Sequence, residues 1–332
     1  MTNVTDAPPY RSRSRFQHFT IQSAPLLLAL IILAGMAALY VGLFYRELSR
    51  FPGNFELTSV VNTSMPLVFA AVGQSIVVLT RGLDLSVGGM IDLTNGLAAT
   101  HMHAGAGSML AWSLLALLVG AAGGAINGVL VAYGRLQPIL VTLATLSIFQ
   151  GLAIKVLPAP GGAVPIEYTK ILANPNGPSG LVFVALVIAV WLVFRRTRFG
   201  VDVYAIGNDE HAARAHGVRV REVKIGAYAL SGVFAAAGGL FLAATTTSGD
   251  ATSGDVFVLT SIAAVVLGGI SFFGGRGSAI GTVAGAFILT LLINVLFFAK
   301  IDPLYQSFFQ GLFLVVAVLL GTLIRRLVGM RG

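Results

Sequence analysis

The chain has 332 residues, of which 56% are hydrophobic and 10% charged, with a mean hydropathy of +0.87. Soluble domains carry about 25% charged residues, so this composition cannot cover a water-facing surface with polar groups and excludes a soluble globular domain. The formal net charge of +8 does not indicate a nucleic-acid partner, because no basic stretch is interleaved with aromatics or set on a soluble domain. The chain has no cysteine, which excludes disulfides, thiolate catalysis and iron–sulfur clusters.

With lipid as solvent, the backbone must satisfy its own hydrogen bonds, leaving helices or closed barrels. The apolar runs are continuous and about twenty residues long, the length of a crossing helix, whereas a barrel alternates over about ten. The expected fold class is therefore all-α, a polytopic transmembrane bundle of about ten helices. Residues 1–23 form a tail containing Arg11, Arg13 and Arg15. The first span, 24–45, exceeds the apolar core of about 7–15 residues in a signal peptide and reads as an uncleaved helix. The following spans are 59–79, 88–107, 109–132, 138–157, 181–194, 225–246, 256–273, 278–299 and 304–324. The third is the least apolar and carries Asp92, Asn95, His101 and His103. On 109–132, Gly120, Gly124 and Gly128 share a face, as Gly277, Gly281 and Gly285 do around the ninth span. Such faces let helices approach closely, inside the bundle or at a dimer seam.

Residues 158–180 hold Pro158, Pro160, Pro165, Pro175 and Pro178 and read as a Pro-broken external segment. The sixth span is short. Residues 195–224 form a charged segment whose middle, Asn208–His216, lacks a helix breaker. Asn208 or Asp209 could cap a short helix there, with Glu210 in its first turn and Gly217 ending it. Such a helix docks a partner or is a solvated linker. Asp250 and Asp255 each end a Thr-Ser-Gly-Asp unit in an expected external turn, suited to helix capping or an external contact. Residues 325–332 form a short tail.

Placing the N-terminus in the cytoplasm sorts Lys and Arg into 16 inside and 5 outside, the bias expected of cytoplasmic loops. The inside set includes Arg81, Arg135, Arg195, Arg196, Arg198, Arg214, Arg219, Arg221, Lys224, Arg276, Arg325, Arg326 and Arg331. An even number of spans then puts both termini inside.

Catalytic motifs are absent. The sequence has no G-x-x-x-x-G-K-[ST] phosphate loop, no G-x-S-x-G elbow and no H-E-x-x-H pair, so any ATP must be hydrolysed by another subunit. No metal site is expected, because His101 and His103 stand on different helix faces and lack further ligands. Polar residues within spans carry more information. Asp92 is the carboxylate placed clearly inside a membrane helix, a position that is functional or satisfied within the bundle. Gln74, Asn95, Asn127, Thr145 and Asn294 are uncharged span residues. They could bind sugar hydroxyls without the desolvation cost of a fixed charge, or join helices by hydrogen bonds.

Four ordered stretches resemble a known family. Arg81-Gly82-Leu83-Asp84-Leu85-Ser86-Val87-Gly88 is similar to the G-[IL]-D-L-S-V-G signature of ribose/xylose/arabinose-type permeases of ATP-binding-cassette importers. Asn127-Gly128 through Gln137-Pro138, with Thr142 and Leu143, resembles their N-G…Q-P-x-x-x-T-L stretch. Residues 207–218 resemble their G-x-N-x-x-A-A-R-x-x-G-[IV] coupling segment, and 264–278 their A-V-V-[IL]-G-G…G-G-x-G-[ST] stretch. The resemblance spans about residues 60–325. It implies a type II-like importer permease domain over 24–324. The signature turn is Gly82, Asp84, Ser86 and Gly88, and the ATPase-coupling residues are Gly207, Asn208, Glu210, Ala212, Ala213, Arg214 and Gly217. It also implies a cytoplasmic ATPase that binds ATP and magnesium, a periplasmic sugar-binding protein, a second permease subunit, identical or paralogous, and a bacterial inner-membrane location. Nucleosides or branched-chain amino acids are the alternative cargoes, and a stand-alone carrier or channel the alternative class. Two departures stand out. His211 precedes Ala212-Ala213 where the broader importer pattern has Glu, and Arg81 stands where a small residue such as Gly is expected.

Overall fold

In hydrocarbon a long apolar segment lowers its energy by closing every backbone hydrogen bond within itself, and this sequence does so over most of its length. The computed structural model describes residues 15–302, 304–306, 308–313, 315–316 and 319. Twelve helices are bounded within them: α1 (Arg15–Leu48), α2 (Asn54–Leu79), α3 (Val87–His101), α4 (Ala106–Ala132), α5 (Pro138–Val156), α6 (Ile166–Leu172), α7 (Ser179–Phe194), α8 (Arg198–Asn208), α9 (Glu210–Ala215), α10 (Val220–Thr246), α11 (Asp255–Leu267) and α12 (Ala279–Phe298). Described residues from Leu304 onward are helical. The remainder of the 304–324 span lies outside the described residues, as do Arg11, Arg13 and both tails beyond 14 and 319. No strand forms among the described residues; a single bridge pairs Gly161 with Gly249.

Among the described residues, six helices are long and apolar enough to cross a membrane, α1 from Pro25, α2, α4, α5, α10 and α12, and α7 with α8 makes a seventh if the bent pair is one span. The protein is a multi-pass, all-α membrane protein. α2 is its axis. Every residue from Met65 to Leu79 is buried, as expected for a helix apolar on all sides, and α10, α12 and α11 surround it. α1 lies against α12 through Tyr40, Phe44 and Phe298, whose ring centroids are 5.1–6.0 Å apart. The outward faces of α1, α4, α5 and α7 present leucine, isoleucine and valine, such as Ile31, Leu118, Leu140 and Val193, to lipid.

The glycine row of α4 is used within the subunit. α4 packs against α10, with Gly120 on the backbone of Gly232, Gly124 on that of Tyr228 and Ala229, and Gly128 on Ile225. A Cβ at Gly124 would fall on the Tyr228 carbonyl, so the two backbones are in direct contact. The second row is only partly helical. Gly277 precedes α12 with φ +118°, leaving Gly281 against Gly268 and Gly285 against Ala264.

Three departures from the expected spans position the functional region. The third and eighth spans shorten to α3 and α11, of 15 and 13 residues. At 1.5 Å per residue they are about 22 and 20 Å long, short of the roughly 30 Å of hydrocarbon. α3 starts deep in the bundle, since Gly89 lies beside Leu146 and Phe149 in the middle of α5. The turn before it therefore dips inward.

The expected external turn at 247–254 is likewise drawn inside. It runs back along α3, with Gly249 on Ala99, the Asp250 amide on Asn95, and Gly254 on Asp92 and Gly88. Non-helical backbone is tolerated at such depth only where protein groups line it, and here the side chains of α3 do so.

The third departure is at the sixth span. α7 bends 75° into α8, a helix not expected from the sequence, and α10 begins at Val220 rather than 225. The proline-rich segment folds a single short helix, α6. The extended segment before it docks on the α3 and α10 ends through Ala163 N–H to Ala99 O (2.9 Å) and Val164 N–H to Thr247 O (3.1 Å).

Candidate functional site

The inward-dipping turn 80–86 must satisfy backbone groups that no helix closes, and its own polar residues do this. Asp84 is buried. Its Oδ1 accepts from the Ser86 amide (3.0 Å) and hydroxyl (2.6 Å), and its Oδ2 from the Ser231 hydroxyl on α10 (2.8 Å). Asn127 on α4 donates from Nδ2 to Ser86 Oγ at 2.8 Å. Gln74 on α2, in the amide orientation its neighbours require, donates to the Asp84 carbonyl at 2.9 Å and accepts its N–H at 3.3 Å. Tyr228 donates to the Leu83 carbonyl at 3.3 Å. The backbone and carboxylate of Asp84, with the Ser86 hydroxyl, thus join α2, the start of α3, α4 and α10. Gly82 and Gly88 are glycines for a steric reason: a Cβ on the first would meet the Tyr228 hydroxyl at 2.6 Å, and on the second Val258 at 2.5 Å.

One turn further along α3, Asp92 is fully buried. Its Oδ1 accepts from the Gly254 amide at 2.5 Å, while Oδ2 has no partner. Asn95 Oδ1 accepts the Asp250 amide at 2.8 Å, and Gln150 on α5 donates to Asp255 Oδ1 at 2.5 Å. Asn127 Oδ1 is a second buried acceptor without a partner. Gln74, Asp84, Ser86, Asp92, Asn95 and Asn127 are therefore brought together around the starts of the two broken helices. Two candidates from the sequence are not. Thr145 bonds back to the Val141 and Thr142 carbonyls of its own helix, and Asn294 to the Thr290 carbonyl of α12. His101 stacks on Trp112 with ring centroids 4.6 Å apart, and no metal-holding group of three His, Asp or Glu forms among the described residues.

The opposite feature is the α8–α9 corner. Thr197 caps α8, accepting from Gly200 N at 3.1 Å, and the apolar positions Phe199, Val203 and Ile206 hold it to the bundle. That spacing is the periodic signal from which α8 could have been found. Asp209, not Asn208, caps α9, with Oδ1 accepting from the His211 and Ala212 amides at 2.8 and 3.0 Å. Asn208 is the last residue of α8 and reaches Gly275 O at 3.3 Å. Glu210 binds Lys224 at 2.7 Å and Arg214 at 3.1 Å, tying α9 to α10. Gly217 ends the segment at φ +84°. Gly207 packs on the Leu79 carbonyl and Gly275. Ala213 is buried, whereas Ala212, Arg214 and His211 are exposed.

Both acids of α9 are held below their ordinary carboxyl values, Asp209 chiefly by the Ala212 amide and Glu210 chiefly by the hydrogen bond from Lys224. A depressed carboxyl pKa stabilises the folded form at neutral pH, and this is lost as pH falls through the depressed value. The helix is expected to stay capped at neutral pH and to fray only in acid, below the ordinary carboxylate range. Amide hydrogen exchange at Ala212, compared with amides in α10, checks this.

The site offers buried hydrogen-bond acceptors, broken helices and a surface helix. That is the make-up of a passage component, and comparison with known proteins gives the class. The family described as the branched-chain amino acid transport system / permease component matches residues 56–318, and the chain belongs to it. It is 34% identical over 282 residues to the ribose import permease protein RbsC of Escherichia coli K12, covering 81% of this chain and 87% of that one. It is 34% identical over 275 residues to the autoinducer 2 import system permease protein LsrC of Yersinia enterocolitica, covering 80% and 74%. No solved structure matches. The chain is a permease subunit of an ATP-binding-cassette importer and not itself an enzyme.

Proposed function

We propose that this chain forms half of an inner-membrane pore that imports a monosaccharide, a pentose, hexose or furanose, delivered by a periplasmic binding protein. A cytoplasmic ATPase docks on α9, and a second permease subunit completes the pore. The observation that carries this reading is the α8–α9 corner: a short capped helix with an exposed face, bonded to the turn that opens α3. The names of the ribose and autoinducer 2 permeases support a small polyol or furanose over an amino acid, and the neutral groups Gln74, Asn95 and Asn127 suit such cargo because they bind hydroxyls without a fixed charge. The sorting of Lys and Arg supports cytoplasmic termini and a cytoplasmic 195–224 segment. ATP binding and hydrolysis in the partner then shift the pore between outward- and inward-open states through contacts that differ between them.

The test is uptake of radiolabelled D-ribose and other sugars by cells carrying this chain with its cognate ATPase and binding protein. ATP-dependent accumulation of a sugar supports the reading; accumulation of leucine, or of a nucleoside alone, overturns the cargo.

Asp92 gives a sharper expectation. Asp92→Ala leaves the Gly254 amide without an acceptor, and an unpaired buried donor costs about 1–3 kcal/mol. Uptake should fall about tenfold, the equivalent of ~1.4 kcal/mol, with the subunits still assembled on gel filtration. Asp92→Asn, which keeps the acceptor, should retain most transport.

A further inference from the structure

Arg81 is the charged residue of the α2–α3 turn that lies outside the hydrogen-bond network of Asp84. Its backbone sits at φ +64°, a left-handed conformation that a side chain disfavours and glycine adopts freely. A local rule broken at one residue invites the question of what its side chain gains.

The side chain crosses to the α8–α9 corner. Nε donates to the Gly207 carbonyl at 2.8 Å and Nη2 to the Asn208 carbonyl at 2.6 Å. These are carbonyls at the end of α8, where the helix leaves acceptors unsatisfied and its dipole favours a cation. Asp209, the cap of α9, is the next residue and feels the Arg81 charge. The junction has a second strand of contacts: Gly275 N–H donates to Leu79 O at 3.0 Å, and Asn208 Nδ2 to Gly275 O at 3.3 Å. A planar guanidinium holding two carbonyls is directional, which a point charge is not.

We infer that Arg81 is the positioning residue that transmits movement of the α8–α9 corner to the pore turn 82–86 and hence to the start of α3. The inference rests on the reading that an ATPase docks on α9. The path is short and continuous. Arg81 is covalently adjacent to Gly82, Asp84 lies three residues on, and Asp84 bonds to α3 and α10. A displacement of α9 relative to α2 must therefore either stretch two hydrogen bonds to Arg81 or carry the turn with it. Glycine at 81 would relax the backbone and sever the link, so stability and coupling should move in opposite directions.

The absence of cysteine makes the experiment direct. A Leu85→Cys reporter in the turn is labelled with N-ethylmaleimide in the full complex with its ATPase, with and without ATP and vanadate. With Arg81 present, trapping should change the labelling rate by at least about fivefold, the low end of site–site coupling. Arg81→Gly should abolish that response while the complex assembles and its melting temperature holds or rises. Arg81→Lys, with charge but no fork, should give an intermediate response. An unaltered response in Arg81→Gly overturns the inference. If Arg81→Gly fails to assemble, the strut is structural and the inference falls unless Arg81→Lys assembles with a reduced response. An Ala212→Glu arm separates the premise: ATPase binding unchanged by that variant would overturn docking on α9, whatever Arg81 does.

Discussion

Ala212→Glu is expected to remove ATPase binding and sugar uptake together while the subunit remains folded. The structure separates two residues that the sequence presents as a pair. Ala213 faces inward, buried beneath α9, and its carbonyl accepts from the Val218 amide. Ala212 is exposed, and its own structural task is done by its amide, which bonds to Asp209. A charged side chain at 212 therefore points away from the chain's own packing and toward the partner proposed to seat on α9. Loss at the centre of an interface costs about 2 kcal/mol or more, ~30-fold in affinity. Ala213→Glu, by contrast, buries an unpaired charge and should unfold the corner itself. Co-purification with the ATPase, uptake, and hydrogen exchange across 207–218 distinguish the pair. Equal effects of the two on folding would contradict the assignment of faces.

The second large effect is at Asp84. Its carboxylate accepts three hydrogen bonds from Ser86 and Ser231. Asp84→Ala leaves those donors buried and unpaired, at about 1–3 kcal/mol each, with part recovered because hydroxyls find other acceptors in a membrane bundle. The net expectation is about 2 kcal/mol, enough to lower the melting temperature in detergent by several degrees. It should also lower uptake, because the start of α3 loses its tie to α10. Asp84→Asn keeps Oδ1 for Ser86 and can donate to the Ser231 hydroxyl, so it should be near wild type in stability. A severe Asp84→Asn variant would show that the negative charge, and not the bonding pattern, is what the turn requires.

Most of the architecture was legible because it follows from solvent and length. Long apolar runs such as 109–132 and 138–157 had one solution in hydrocarbon, and α4 and α5 agree with them to within three residues at either end. The broken helices were not legible, for an equally physical reason. Hydropathy in 88–107 and 256–273 reports what surrounds a segment and does not say whether its backbone closes. Only partners remote in sequence, Asn95 with Asp250 and Asp92 with Gly254, make an unwound stretch tolerable there. Arg81 departs from the family pattern in the sequence itself, but its reach to residues 207 and 208 depends on tertiary proximity. Ser231 is a polar residue in an apolar span and could have been added to the polar set. Thr145 and Asn294 show the converse limit: a polar residue in a span can bond to the carbonyls of its own helix, an outcome that hydropathy does not distinguish from a bond between helices.

The contact between α4 and α10 sets a limit on how this protein can change shape. Where two backbones touch at Gly120, Gly124 and Gly232, there are no intervening side chains to re-pack and so no alternative register to slide into. The pair behaves as one plank. Under the mechanism proposed above, a switch of access then falls to elements outside that plank, such as the short α11, which packs on α2, α3 and α12.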